Sequence, residues 1–311
     1  MNKSPLWALT TYFNPMRYQR RLQNYRMFRK ELRAPLVAVE VSYTDTFDLK
    51  NGDADVLVQL RADSVLWQKE RLLNVALKNL PSDVPFAAWL DCDLIFSNPN
   101  WAEATADALQ SVPVAQPFSA VFDLPRDVSP SMIDLTKTAP SSLSMGRKLA
   151  INQWADSDFR PATQLTRSGL GFGWAARRDL LDKHQLYDAM IIGSGDRMIT
   201  YGACGKFSDA IEITRLNKHQ REHYLSWAQP FHDAVMGRIG YADGIIYHLW
   251  HGDLKDRRYR ERHEELQKFD FDPFVDIGLD KQQCWTWTTQ KIALIDYVKE
   301  YFSGRNEDGG E

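Results

Sequence analysis

The chain has 311 residues, of which 44% are hydrophobic and 25% are charged. This composition is that of an ordinary globular protein, and the length suffices for one large α/β domain or two small ones. The formal net charge of -3 provides no global field for holding polyanions, so nucleic acid is a poor default partner, although a local basic patch is compatible with this charge.

The cysteines and the amino terminus indicate a reducing compartment. Cys92, Cys204 and Cys284 are far apart, odd in number and without the CxxC spacing of a metal site, so we expect reduced thiols. The first residues lack the charged start and apolar run of a signal peptide, and no window approaches the roughly 18 apolar residues of a membrane span. These features predict a cytoplasmic protein.

The first part of the chain alternates between apolar strands and amphipathic helices. The predicted elements are a strand at 6–13, a helix from about residue 16, strands at 36–41 and 56–58, and a helix at 65–80. Asn14 and Pro15 form a favourable start for the first helix, and Pro81 ends the second. The order is therefore βαββα, followed by another apolar run.

Two carboxylates follow that run. Residues 87–90 have the apolar pattern of a buried strand, and Asp91 and Asp93 come directly after it, on either side of Cys92. An acid pair inside a buried strand is costly unless cations or hydrogen bonds compensate it, so we expect the strand to end where Asp91 begins. The pair would then lie at the carboxyl edge of a sheet, where open α/β folds bind ligands.

Beyond the acid pair the regular pattern is weaker. A helix is predicted at 101–110 and a short extended piece at 112–117, whereas prolines among serines and threonines predict a long irregular loop at 123–145. Such loops act as lids or acceptor sites, or are surface insertions without function. A last helix is predicted at 292–302, and the polar residues after it predict a disordered tail.

Two glycine-containing stretches precede helices in the second half. Ser168 opens the first, in which glycines alternate with other residues up to Gly173; with no basic residue, this pattern fits tight packing as well as a phosphate loop. In the second, residues 193–195 place Asp196 at the start of a helix. Asp196 is then either a helix-cap or first-turn residue, or a general base or acceptor-binding carboxylate. Spacing alone does not decide between these roles.

An apolar strand at 244–247 leads into two histidines three residues apart. On a straight strand His248 and His251 would face opposite sides, so they share one site only if the chain bends, as the nearby Gly252 permits. The pattern indicates either a metal site or one packed and one exposed histidine. The mixed-charge segment 255–263 is typical of exposed surface, yet its position allows one or two of its cations to reach a phosphate.

These features together resemble a known family. In order, Asp91-Cys92-Asp93 and residues 171–178, 193–196 and 248–252 resemble the landmarks of nucleotide-sugar-dependent glycosyltransferases of GT-A fold, over about residues 6–265. The nearest branch includes the β-1,4-galactosyltransferases and polypeptide N-acetylgalactosaminyltransferases. The resemblance implies an α/β fold with a GT-A type, Rossmann-like mixed sheet flanked by helices in a single large domain. It also implies transfer of a sugar from a nucleotide diphosphate sugar, with a UDP-sugar favoured, to an acceptor hydroxyl.

The resemblance also divides the chain into functional parts. It implies a nucleotide-sugar-binding half ending in the DxD strand at 1–122, an irregular loop at 123–150, an acceptor and catalytic half at 151–270, a C-terminal extension and helix at 271–302, and the tail at 303–311. The donor and the acceptor would therefore be held by different halves of one domain.

By the same resemblance, the acid pair and the histidines hold a divalent cation that neutralises the departing diphosphate. Asp93 would ligate the metal directly, and Asp91 would bind ribose or reach the metal through water. Either His248 or His251 would complete the site, with His251 favoured. Carboxylate oxygen together with imidazole suits Mn²⁺, and Mg²⁺ fits if water supplies most of the ligands.

Asp196 matches the acidic position that removes the acceptor proton in inverting members of the family. Those members often carry adjacent Glu and Asp residues there, whereas Gly195 precedes Asp196 in this chain, which leaves the stereochemical outcome open. By order along the chain, the resemblance implies further donor contacts from Thr10, Tyr12, Glu40, Arg61 and Asp63. Trp174, next to the glycine-rich stretch, is a candidate for stacking on the sugar, and the alternative is a core residue.

Three other functions compete with a glycosyltransferase. A sugar-phosphate nucleotidylyltransferase would carry a basic, glycine-rich loop after the first strand, and residues 10–15 are not such a loop. A metal-dependent hydrolase could use the same acids and histidines to activate water. The third is a non-catalytic carbohydrate-binding protein of the same fold. The acceptor could be a glycan, a lipid-linked saccharide, a protein or a modified nucleic-acid base.

Overall fold

The computed structural model describes residues 5–159 and 169–309. Ser168 and the last two residues of the tail lie outside these ranges. The strands are β1 Leu6–Phe13, β2 Leu36–Ser42, β3 Val56–Arg61, β4 Phe86–Leu90, β5 Leu94–Phe96, β6 Val114–Gln116, β7 Ala120–Asp123, β8 Ser142–Leu143, β9 Gly173–Arg177, β10 Ile239–Tyr241, β11 Ile245–His248, β12 Ile277–Leu279 and β13 Trp285–Trp287.

The helices lie between and after these strands. They are α1 Gln19–Glu31, α2 Lys69–Lys78, α3 Trp101–Ser111, α4 Met145–Ala150, α5 Asp156–Phe159, α6 Arg178–His184, α7 Gly195–Cys204, α8 Phe207–Ile213, α9 Lys218–Val235, α10 Glu261–Gln267 and α11 Ile292–Ser303. Single 3₁₀ turns occur at Pro130–Met132 and Leu254–Arg257. None of the helices in the described ranges is both long enough and apolar enough to span a membrane.

Among the described residues, seven strands form the central mixed sheet, in the order β10-β6-β9-β4-β1-β2-β3. Strands β1 to β4 are parallel, and β9 runs antiparallel between β4 and β6. Alternate residues of β1 enter opposite cores: Leu9 packs in the cluster that contains Leu72 of α2, and Ala8 in the cluster that contains Tyr25 of α1. Burial on both faces explains the continuous apolar runs. The predicted α/β class, with a mixed sheet flanked by helices in one domain, is confirmed.

The strand before the acid pair ends at Leu90, as predicted. The helix predicted at 65–80 is shorter, beginning at Lys69, because the preceding residues make other contacts. The Gln68 side chain bonds both backbone groups of Trp285 in β13, at 3.0 and 2.8 Å, and the Trp67 N–H donates to the Ile191 carbonyl at 3.0 Å. These bonds hold residues 67–68 in a non-helical conformation.

A smaller sheet, in the order β5-β11-β7-β8, sets the position of the histidine segment. Strand β11 pairs antiparallel with β5 and parallel with β7, which places His248 opposite both Leu94 and Asp123. Leu94 follows Asp93 directly, so this register brings His248 beside the acid pair. The predicted loop at 123–145 is largely irregular, but its ends belong to β7 and β8.

The tail differs from the disordered segment expected from sequence, as far as residue 309. Tyr18 donates to the Ser303 carbonyl at 2.8 Å, and the Asp308 carboxylate accepts the backbone N–H groups of Gln19 and Arg20 at 3.1 and 2.7 Å. Asp308 thereby caps α1 from the opposite end of the chain, and Glu307 beside it is only 1% exposed.

Candidate active site

A cavity of about 500 Å³ lies at the carboxyl ends of β1 and β4. Thr11 and Phe13 line it from β1, and Asp91 and Asp93 line it where β4 ends. Its other walls include residues 169–172, 193–194, 196–197, 212–215, 259–260 and 262–264, the two histidines, and Arg21, Lys69, Arg257 and Arg305. The cavity therefore lies at the sheet edge where the acid pair was predicted to bind a ligand.

Asp93, His248 and His251 form a cluster whose ligand atoms all lie within 4.8 Å of one another. The Nε2 atoms of His248 and His251 are 3.7 and 3.4 Å from the two Asp93 carboxylate oxygens, and 3.0 Å from each other. The chain has the bend that a shared site requires: β11 ends at His248, the Leu249 N–H donates to the Asp93 carbonyl at 2.9 Å, and Gly252 has φ +93°. The bend brings both rings to one side.

Each histidine of the cluster has a different second partner. His248 Nδ1 is 2.8 Å from the Asp123 carboxylate, which only accepts, so Nδ1 carries the proton and Nε2 is free to bind a ligand. His251 Nδ1 is 2.5 Å from Arg257 Nη2, which only donates. Burial, reinforced by the Arg257 charge, holds the pKa of His251 well below its usual range, and the ring is neutral.

The cluster fits a divalent cation. Asp93 Oδ1 is buried and has no hydrogen-bond partner, which is costly in the absence of a cation. Burial raises the pKa of Asp93, and the neighbouring His248 opposes that rise. One carboxylate and two neutral imidazoles are a donor set that suits a first-row divalent metal such as Mn²⁺.

Asp91 is not among the direct ligand atoms of this cluster, and its predicted contact with ribose, or with the metal through water, stays a prediction. Lys69 Nζ lies 2.6 Å from Asp91 Oδ1 and 2.6 Å from Asp196 Oδ2. Lys69 is the first residue of α2 and is 7% exposed. It was missed from sequence because a charged residue in an amphipathic helix ordinarily belongs to the exposed face.

Asp196 reaches the same cavity from the start of α7. Its side chain bonds Lys69, while Ser194 stands at the helix cap position, so the structure gives Asp196 no capping role. Its second oxygen, Oδ1, is buried without a hydrogen-bond partner. Gly195 is required by close packing, since a Cβ there would lie 2.1 Å from the Glu70 carboxylate.

Burial raises the pKa of two acids that lie around Lys69. Burial raises the pKa of Asp196, and the neighbouring Lys69 opposes that rise. Burial also raises the pKa of Glu70 to about 8, so that this side chain is mostly protonated at neutral pH. The Lys69 ammonium group contacts both remaining carboxylates, Asp91 and Asp196.

The residues predicted to hold the nucleotide from β1 and β2 lie outside the cavity lining. Thr10 donates to the Leu90 carbonyl at 2.8 Å, and Tyr12 donates to Asp48 at 2.9 Å. Glu40 accepts the Asp48 N–H at 2.6 Å and is 2% exposed. Because strand residues alternate between faces, the cavity is lined instead by Thr11 and Phe13, one position along from the predicted residues.

The other predicted donor contacts also lie elsewhere. Arg61 packs over the Phe47 ring, and neither it nor Asp63 contributes to the cavity lining. Trp174 is 1% exposed and donates its indole N–H to the Leu170 carbonyl at 2.8 Å, so it is a core residue that packs behind the glycine-rich stretch.

Buried arginines form a further wall of the cavity. Arg257 and Arg262, which are 3% and 5% exposed, come from the mixed-charge segment, where one or two cations were expected to reach the site. Arg21 comes from α1 and Arg305 from the tail, and neither was predicted. No sequence pattern marked them, because Arg21 and Arg305 reach the cavity wall from opposite ends of the chain, where both contact Glu307.

No protein-family model matches the sequence, and no relative is found among curated proteins. Among solved structures, the chain is similar to residues 1–349 of TarS from S. aureus, with 13% identity, a TM-score of 0.39, and coverage of 97% of this chain and 71% of that one. It is also similar to glucosyl-3-phosphoglycerate synthase from Mycobacterium tuberculosis in complex with Mn²⁺, UDP and phosphoglyceric acid. There the identity is 13%, the TM-score 0.40, and the coverage 92% of this chain and 87% of that one. Both TM-scores lie below 0.5, so the function of this protein is inferred from the geometry of its own site.

Proposed function

We propose that this protein is a metal-dependent glycosyltransferase of the GT-A type, which moves a sugar from a nucleotide diphosphate sugar to an acceptor hydroxyl. UDP-sugars are the favoured donors. One observation carries the proposal: the Asp93–His248–His251 cluster and the Asp91–Lys69–Asp196 group face a single cavity at the carboxyl edge of the sheet. The first suits a metal-bound diphosphate, and the second suits the sugar and the acceptor.

The cluster would hold Mn²⁺, or Mg²⁺ with additional water ligands. When bound, the cation neutralises charge that develops on the departing diphosphate. His248 is the better prepared of the two imidazoles, because Asp123 fixes its free Nε2 towards Asp93. The arginines of the same cavity supply further positive charge for a phosphate group.

Asp196 is the proposed general base. Lys69 holds its Oδ2 atom, and the unpartnered Oδ1 atom remains to accept the proton of the acceptor hydroxyl. As the acceptor oxygen bonds to the anomeric carbon, the bond from that carbon to the diphosphate breaks and the proton passes to Asp196. Asp91, held by the same lysine, is placed to contact the donor sugar or ribose.

Thermal shift tests the metal and donor assignments together. UDP at 100 times its Kd stabilises a protein by about 2.7 kcal/mol, so we expect UDP with Mn²⁺ to raise the Tm by several degrees. Asp93→Ala should abolish that shift, whereas Asp134→Ala in the exposed loop should retain it. An unchanged shift in the Asp93 variant would refute the metal site.

Product analysis separates transfer from hydrolysis. With a panel of UDP-sugars and Mn²⁺, a transferase consumes the donor faster when an acceptor is present and yields a glycosylated product. Free sugar released at the same rate with and without acceptors would instead support the hydrolase that the same ligand set allows.

A further inference from the structure

The tail residues 304–309 build one side of the proposed donor site. The tail packs against the turn after the histidines so closely that a Cβ on Gly252 would lie 2.8 Å from the Asn306 carbonyl oxygen. Gly309 also packs closely, because a Cβ on this residue would lie 2.9 Å from the Trp250 indole. Between these two contacts the chain directs Glu307 inward.

Glu307 is the common partner of three arginines. Its carboxylate accepts from Arg305 Nε at 2.7 Å, from Arg21 Nη1 at 3.1 Å and from Arg257 Nη1 at 3.4 Å. Burial opposes ionisation of Glu307, but Arg21, Arg305 and Arg257 outweigh it and hold its pKa well below the usual range. The carboxylate is therefore ionised whenever the protein is folded near neutral pH.

One carboxylate does not balance three guanidinium groups. Counting only Glu307 and its three partners, the group carries a charge of about +2 in a largely buried environment. All three arginines line the cavity, whereas Glu307 does not contribute to its lining. The carboxylate therefore lies behind the arginines and leaves the cavity itself open to an anion. Arg257 also donates to His251, so the array adjoins the metal cluster.

We propose that Glu307 is a positioning residue, which holds Arg21, Arg257 and Arg305 as one array for the diphosphate of the donor. This inference rests on the proposed function, because the ligand is the nucleotide diphosphate. Without an opposing carboxylate, three adjacent buried guanidinium groups repel one another and move apart. Glu307 brings them together while leaving an excess of positive charge for the phosphates.

The ratio of the Kd for UMP to the Kd for UDP, measured with Mn²⁺ present, tests the inference. This ratio reports recognition of the second phosphate and is independent of the fraction of protein that is folded. We expect Glu307→Gln to lower the ratio about tenfold, chiefly by weakening UDP binding. Glu307→Asp keeps the charge on a shorter side chain and should restore part of the ratio.

Asp308→Asn is the matched control. Asp308 lies in the same tail and caps α1 without contacting the three arginines, so its substitution should lower the Tm and leave the ratio unchanged. Should Glu307→Gln fail to fold, Glu307→Asp carries the test by itself, with an expected ratio below that of the wild type.

The outcomes are distinguishable. An unchanged ratio in both Glu307 variants overturns the inference, as does tighter UDP binding, which would mean that the carboxylate competes with the ligand. If the wild type shows no Mn²⁺-dependent binding of UDP, the proposed function itself fails, and that result is visible before any variant is made.

Discussion

Replacing Lys69 with methionine removes a cation that lies between two carboxylates of the site. Lys69 lies 2.6 Å from both Asp91 and Asp196, and its side chain is 8% exposed. Methionine keeps much of the side-chain volume but none of the charge. Removing one partner of a buried ion pair costs about 3–5 kcal/mol. Because the Asp91 side chain keeps 31% of its exposure, we expect the lower end of that range, about 3 kcal/mol at pH 7.

This loss of stability should shrink as the pH falls. Burial already raises the pKa of Asp196 in the folded protein, and Lys69 opposes that rise. Without Lys69 the folded-state pKa lies still further above the unfolded value, so the ionised carboxylate is destabilising at pH 7. The penalty is relieved as the pH falls through the raised pKa and the carboxyl takes up a proton. Glu70 has a pKa of about 8, so it is mostly protonated at both pH 7 and pH 5. It therefore contributes little to the difference in stability between these two pH values.

Urea unfolding at pH 7 and pH 5 measures the effect. The difference in unfolding free energy between wild type and Lys69→Met should be clearly smaller at pH 5. Lys137→Met is the control, since Lys137 is 82% exposed and its loss should change stability by no more than about 0.5 kcal/mol. An equal loss of unfolding free energy at both pH values would refute the explanation that protonation of Asp196 relieves the penalty.

Two further variants test the roles of individual carboxylates. Asp123→Asn should weaken Mn²⁺ binding by about 10- to 100-fold in a metal titration, because the Asp123 carboxylate orients His248 by accepting its Nδ1 proton. An unchanged affinity for Mn²⁺ would mean that His248 is not a ligand. Asp196→Asn should retain the UDP and Mn²⁺ thermal shift while slowing transfer by at least about 100-fold, the usual contribution of a general base. Near-normal turnover in that variant would leave Asp196 with a structural role only.

The elements nearest the site could be predicted from sequence because they are buried on both faces. Parallel strands between two helical layers consist almost entirely of apolar residues, so the end of such a run at Leu90 is also the end of the strand. The turn after β11 was predictable for a related reason, since Gly252 marks a bend and His248 closes an apolar run. Which side each strand residue faces was not predictable, and the cavity is lined by Thr11 and Phe13 rather than by Thr10 and Tyr12.

The charged residues of the site could not be predicted because their burial depends on distant partners. Lys69 looks like an exposed helix residue until Asp91 and Asp196 lie beside it, 22 and 127 positions away along the chain. Glu307 belongs to a polar tail whose composition indicates disorder, and it becomes buried through arginines up to 286 positions away. Local composition indicates that burying a charge is costly, but it does not indicate which distant residue offsets that cost.

His248 and His251, equivalent in sequence, become unequal through their second partners. Arg257 donates to His251 Nδ1, so in the neutral ring the proton lies on Nε2, the atom that faces Asp93. His248 has the opposite tautomer, with an unprotonated Nε2 that accepts from His251 Nε2–H across 3.0 Å. A metal ion can therefore bind Asp93 and His248 directly, whereas binding through His251 Nε2 requires the proton to shift to Nδ1, and Arg257 must first move away from Nδ1. The preference for His251 drawn from the resemblance is thus reversed in our proposal, and Arg257 is the residue that links His251 to the arginine array.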